Sequence, residues 1–289
     1  MKKKIISVIV GVAGLAAAYF VVSGISHIVY NRPVDNAATE STAETTEQGT
    51  EEAKAAMTED EINEMLAGMK ATETAETATE EQSEVIPVKF EELQAVNPDI
   101  YAWITVPGTV IDYPILQHAS DNTYYLMHNI DGSYGYPGCV YTENMNSKDF
   151  TDNNTVIYGH NMKNGSMFAQ LHKFEDPDFF NENREVLIYL PDEVLHYTIF
   201  AAHIYDDRHL LYSFDFTNPE VYQKYLDSIF STRDMSANID KDITVTTDDQ
   251  IITLVTCIGS QPNNRLLVQA VLTDREPGAE TARAASATE

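Results

Sequence analysis

Ile251-Ile252-Thr253-Leu254-Val255-Thr256-Cys257 is the stretch on which the fold turns. It is short, apolar and rich in β-branched residues, which predicts a buried strand that ends on a thiol. Past the cysteine come Gly259, Pro262, Asn263 and Asn264, all turn formers. Arg265 then opens a second apolar run, Leu266 to Leu272. A hairpin of this form brings Arg265 back beside Cys257. A thiol at a strand end, facing a guanidinium, suits a reactive nucleophile. An inert buried cysteine beside a surface arginine fits the same residues, and the pair alone leaves both readings open.

Working outward, further short apolar stretches bounded by turns occur at Ala102–Val106, Val110–Tyr113, Cys139–Tyr141, Thr155–Tyr158, Val186–Leu190, His196–His203 and Ile243–Val245. Together with the pair around Cys257 they predict a mostly β domain, a barrel or a sandwich. Helical patterns are fewer. Pro219–Phe230 places Val221, Tyr222, Tyr225, Leu226 and Ile229 on one face, with Asn218 as its cap. Short helices are also expected at Phe90–Val96, Ser166–His172 and Asp178–Asn183. No repeat period is present.

The chain has 289 residues, 45 Asp and Glu against 18 Lys and Arg, and a formal charge of −27. That balance excludes a nucleic-acid binder, which needs Lys and Arg density for phosphate contacts. Two cysteines exclude a disulfide-rich scaffold and a cysteine-based zinc site. The charge also divides the chain. Residues 1–32 hold Lys2, Lys3, Lys4 and Arg32 and no acidic residue. Between them Ile5 to Tyr30 is apolar and, as a helix, spans about 39 Å, enough to cross a bilayer. The leading lysines place the N-terminus in the cytoplasm and the remainder outside. A cleaved signal peptide, with Ala16-Ala17-Ala18 as its site, is the competing reading, but cleavage there would fall inside the apolar run.

Residues 33–86 are acidic and rich in Ala, Thr and Glu, and are expected to form a flexible tether. Within it, Thr58-Glu59-Asp60-Glu61 is a capping-box pattern, followed at helical spacing by Ile62, Met65, Leu66 and Met69. This predicts a short helix, either fraying in the linker, the blander reading, or docked on the domain or a partner. The folded domain is expected over 87–275, and 276–289 read as a disordered tail.

Among other reactive residues, His160 follows the short strand ending in Val156-Ile157-Tyr158-Gly159, where glycine permits a tight turn. A histidine at a strand end can move the proton in acyl transfer; taken alone it fits a hydrogen-bonded loop histidine equally. Cys139 lies inside an apolar stretch and reads as packed core. His118, His128, His172, His196, His203 and His209 lack zincin spacing. Asp149, Asp152, Asn153 and Asn154 lack the EF-hand pattern. No metal or cofactor is expected.

These residues carry a family resemblance. Thr253-Leu254-Val255-Thr256-Cys257 resembles the Thr-Leu-x-Thr-Cys signature of sortases, the cysteine transpeptidases of Gram-positive cell surfaces. Arg265 follows at the expected distance, and Tyr158-Gly159-His160 resembles the sortase histidine motif. Asn97 to Gln117, Asp121 to Leu126, Met167-Phe168 and the long stretch between His160 and Cys257 are similar to class B members. The resemblance implies an eight-stranded β-barrel with added helices, behind a transmembrane helix and linker. It implies Cys257 as nucleophile, His160 as general acid/base and Arg265 as oxyanion or substrate stabiliser, with Tyr158 and Thr256 beside the substrate. The implied partners are surface proteins bearing a C-terminal sorting motif, cleaved after threonine, and an amine of a peptidoglycan precursor. The implied place is the cell membrane, with the catalytic domain outside. Val255 and Ile258 depart from the family pattern, standing where several class B members have serine and a polar residue. A pilin-polymerising sortase, a sortase-like peptidase and a tethered binding barrel are the alternatives.

Overall fold

The computed structural model describes residues 59–69 and 86–278. The span expected over Ile5–Tyr30 and the part of the expected tail beyond Gly278 lie outside the described residues, whereas Glu276 and Pro277, expected in that tail, complete the last strand. Among the described residues no helix is long and apolar enough to cross a membrane.

Among the described residues nine strands form one sheet: β1 (Ile100–Thr105), β2 (Asp112–Leu116), β3 (Val140–Thr142), β4 (Asn154–Tyr158), β5 (Glu185–Tyr189), β6 (Glu193–Asp206), β7 (Asn238–Ile239), β8 (Ile251–Ile258) and β9 (Gln261–Pro277). The order is β5-β1-β2-β3-β4-β8-β9-β6-β7, and β5 also pairs with β6. That last pairing closes eight strands into a barrel, with β7 as a short addition on β6. The closure removes the exposed sheet edges that an open sheet would carry. Two joins are parallel, β2 with β3 and β4 with β8. Parallel neighbours need a long crossover, and the chain between β4 and β8 supplies it with β5, β6, β7 and the helices.

The long strands explain themselves through bulges. β6 shifts register against β9 between His196 and Tyr197 and again between Ile199 and Ala201. Bulges bend a strand and raise its twist. Bent in this way, β6 pairs with β5 over Val194–Thr198 and with β7 at Ala201 and Ala202.

Burial follows the two-residue period. In β8, Ile252, Leu254 and Ile258 enter the barrel interior with Ile104, Ile157, Phe168, Leu266 and Val268. Ile251 and Val255 face outward into a second core under α-helices. Five α-helices are described: α1 (Glu59–Met69), α2 (Phe90–Val96), α3 (Pro177–Glu182), α4 (Leu210–Ser213) and α5 (Pro219–Phe230). The α5 residues Tyr222, Tyr225, Leu226 and Ile229 are buried in that outer core. Asn218 caps α5 by accepting from the backbone N–H groups of Glu220 at 3.0 Å and Val221 at 3.4 Å, as its pattern predicted. A third apolar cluster lies at the other side, around Trp103, Leu93, Tyr125 and Leu116. Helix α1 docks here: Leu66 is buried in that cluster and the Met69 carbonyl accepts from the Lys89 N–H at 3.2 Å. Of the two readings of this helix, docking is the one observed.

Several sequence expectations change. Ile243–Val245 is not a strand. Asn238–Ile239 takes the edge of β6 instead, and Val245 is buried in the outer core. The Asp249 carboxylate accepts from both the N–H and the hydroxyl of Thr246, and this local turn replaces a ladder. Strand β2 runs through Pro114, which sits opposite Trp103. β3 joins β2 only past the proline, at Ile115 and Leu116, so one flank of the proline has no ladder to break. The helix expected at Ser166–His172 is a 3₁₀ helix over Phe168–Glu175.

Candidate active site

The end of β8 is where the barrel opens to solvent. Cys257 continues the outward row of Ile251 and Val255 and is exposed just past the apolar cover of that row. The other thiol, Cys139, is buried, and burial pushes it well above the ordinary thiol range.

Arg265 is the direct cross-strand partner of Cys257 in the β8–β9 ladder. A bulge follows at once, since Ile258 pairs with Gln261. The Arg265 guanidinium donates through Nη1 to the carbonyls of Pro262 and Asn264, both at 2.9 Å, which fixes its base on the β8–β9 turn.

His160 reaches the same end from the other flank. β4 runs parallel to β8 with Tyr158 opposite Val255, and the Gly159 N–H donates to the Val255 carbonyl at 3.1 Å. His160 and Cys257 are thus each two residues beyond a paired position. The His160 ring has its Nε2 2.7 Å from the Leu126 carbonyl. A carbonyl only accepts, so Nε2 carries the hydrogen and Nδ1 is the nitrogen left to exchange a proton. Tyr136 packs edge-on against the ring at 5.2 Å between centroids. Gly159 is required at this bend: a Cβ there would lie 2.5 Å from Cγ of Phe168. Thr256 donates its hydroxyl to the Gly159 carbonyl at 2.9 Å and so stitches the two strand ends together.

The three residues singled out for chemistry therefore gather at one barrel end. Thr256 sits beside them, but its side chain is buried and serves the backbone. Tyr158 is half-buried, its ring stacked on Tyr141 at 5.3 Å and 6.2 Å from His209. Val255 and Ile258 are both buried in apolar clusters. Three residues around Cys257 were given no part in its site by the sequence reading. Asn161 and His172 both contact its carbonyl, and Glu175 holds His172. The signal available was the spacing of His172 and Glu175, three apart in what proves to be a three-residue-per-turn helix. Among the described residues no group of three or more His, Cys, Asp or Glu side chains converges as a metal site.

Comparison with known proteins identifies the family. Residues 104–273 match the family model described as a sortase domain. The chain is 34% identical over 195 residues to sortase B of Listeria monocytogenes, covering 67% of this chain and 76% of that protein. A solved sortase B of Clostridium perfringens superposes with a TM-score of 0.58 at 34% identity, covering 64% of this chain and all of that one. A Staphylococcus aureus sortase B–substrate complex gives a TM-score of 0.57 at 28% identity, with 64% of this chain and 84% of that one covered. The chain belongs to the sortase family of cysteine transpeptidases, and within it to class B.

Proposed function

We propose that this sortase cleaves a C-terminal sorting motif after threonine and joins the new carboxyl end to an amine of a peptidoglycan precursor. The observation that carries the reading is the register at the barrel end, which brings Arg265 across from Cys257 and His160 to the same level on the parallel flank. The Cys257 thiol passes its proton to Nδ1 of His160, the resulting thiolate sulfur bonds to the carbonyl carbon of the threonine, and the carbonyl π-electrons move onto oxygen. Arg265 donates to that oxygen through Nη2 and Nε, Nη1 being committed to the turn. The tetrahedral centre collapses to a thioester, the C–N bond breaks, and the amine leaves with a proton from Nδ1 of His160. An incoming amine then gives its proton back to Nδ1, attacks the thioester and releases the thiolate. The Leu126 carbonyl keeps the imidazole turned for both transfers.

The N-terminal run Ile5–Tyr30 is read as the membrane anchor, with the catalytic domain on the outer side of the cell membrane. The test incubates the full chain with fluorogenic sorting peptides and candidate amines and identifies products by mass. Amide-linked product means transfer; free acid alone means a peptidase. Cleavage retained at the wild-type rate in Cys257→Ala would sink the proposal.

A further inference from the structure

The carbonyl of Cys257 lies on the edge of β8 that faces β4. Carbonyls of alternate residues in a strand point to the same side, and the preceding one on that side, Val255, is taken by the Gly159 N–H. Strand β4 ends at Tyr158, so no further strand backbone is there to serve Cys257. Side chains fill the place. Asn161 donates through Nδ2 to the Cys257 carbonyl at 2.9 Å. Nε2 of His172 lies 3.1 Å from the same carbonyl and 3.1 Å from Nδ2 of Asn161. Nδ1 of His172 lies 2.7 Å from a carboxylate oxygen of Glu175. An ionised carboxylate only accepts, so Nδ1 carries its hydrogen and the ring is oriented with Nε2 toward Asn161 and Cys257. In the neutral ring Nε2 accepts one Asn161 hydrogen while the other goes to the carbonyl; in the charged ring Nε2 donates to the carbonyl itself. Either way the nucleophile's backbone is held from the β4 side.

We infer that Asn161, His172 and Glu175 form a positioning clamp that substitutes for the missing strand and sets the direction of the Cys257 thiol relative to His160. This rests on the reading of Cys257 as nucleophile. Asn161 directly follows His160, so one contact fixes both partners of the proton transfer. His172 comes from the 3₁₀ helix, whose packing is secured by buried Phe168, Leu171 and Phe174. The Phe168 N–H donates to the His160 carbonyl at 2.9 Å, which closes the same loop from below. None of the three residues touches the reacting atoms. They act through the backbone of Cys257.

The test measures peptide cleavage by full-length Asn161→Ala, His172→Ala, His172→Gln and Glu175→Ala, with thermal midpoints. A displaced nucleophile loses turnover more than binding, so kcat is expected to fall about tenfold to a hundredfold in Asn161→Ala and His172→Ala, with KM within about twofold. His172→Gln, which retains a donor for the carbonyl, recovers part of the loss. Glu175→Ala lowers kcat with His172 present and changes nothing further in the His172→Ala background, as expected of residues acting in one unit. The inference is overturned by kcat within about twofold of wild type in both Asn161→Ala and His172→Ala, or by losses that track the fall in thermal midpoint and are not relieved in His172→Gln. Should wild type cleave no peptide, the transpeptidase reading fails separately. Iodoacetamide labelling of exposed Cys257 then decides the clamp. About tenfold slower labelling at pH 7 in Asn161→Ala and His172→Ala supports it, because the thiol has lost its set approach to His160, and an unchanged rate overturns it.

Discussion

Replacing Gly159 by alanine adds one methyl group where there is no room. The new Cβ would lie 2.5, 2.6 and 3.0 Å from three ring atoms of Phe168. Phe168 is fully buried in the barrel interior and has nowhere to retreat. Nor can the backbone withdraw. The Gly159 N–H is bonded to the Val255 carbonyl and its own carbonyl accepts from Thr256. Forcing a methyl into such a site costs about 1–3 kcal/mol. For a domain of this size that lowers the thermal midpoint by about 4–8 °C at the middle of the range. Because His160 is the next residue, displacement there also costs about tenfold or more in kcat/KM. Differential scanning fluorimetry and peptide cleavage read the two effects. Gly259→Ala is the control, since a Cβ there meets nothing within 4 Å. Gly159→Ala with the stability and activity of the control would refute the packing account of this bend.

Asn218→Ala removes the α5 cap and is expected to cost about 1 kcal/mol, seen as a drop of about 2–4 °C in thermal midpoint; no change would mean the cap carries no stability. His203 is buried, and burial chiefly holds its pKa below the ordinary imidazole range, partly offset by its bond to Gln269. The folded state therefore takes up fewer protons than the unfolded chain, and its share of stability is lost as pH falls through about 6.5. Thermal midpoints between pH 8 and 5 should show a shallower decline in His203→Gln than in wild type, and equal slopes would refute the assignment. Iodoacetamide should modify one thiol in the native protein and two after denaturation, with mass mapping to Cys257 first; native labelling of Cys139 would contradict its burial.

What the sequence disclosed was local. The hairpin around Cys257 could be read because turn formers separate two apolar runs, and the resulting register is the one observed. The α5 helix could be read from its apolar face and its asparagine cap. Two things were hidden. The parallel join of β4 to β8 leaves no turn between its strands, so nothing in either segment names the other. The donors to the Cys257 carbonyl were hidden for the same reason: Asn161 and His172 are 96 and 85 positions from Cys257. Local pattern also misled at Ile243–Val245, where β-branched residues suit a strand but a turn bonded by Asp249 and burial of Val245 prevail. It stopped short at Pro114, where the proline is tolerated because β3 joins only one residue later.

The β4–β8 seam joins segments 97 positions apart at Gly159 and Thr256. Closing so large a loop costs entropy before any contact returns it, and chains dominated by distant pairings fold slowly. The proposed catalytic set is incomplete in a partly folded chain. Cys257 and Arg265 can meet in a local hairpin, but His160 arrives only when the seam zips. The seam is therefore a timing element: in a chain still folding, the proposed nucleophile stands apart from His160, and the site comes together only with the finished barrel.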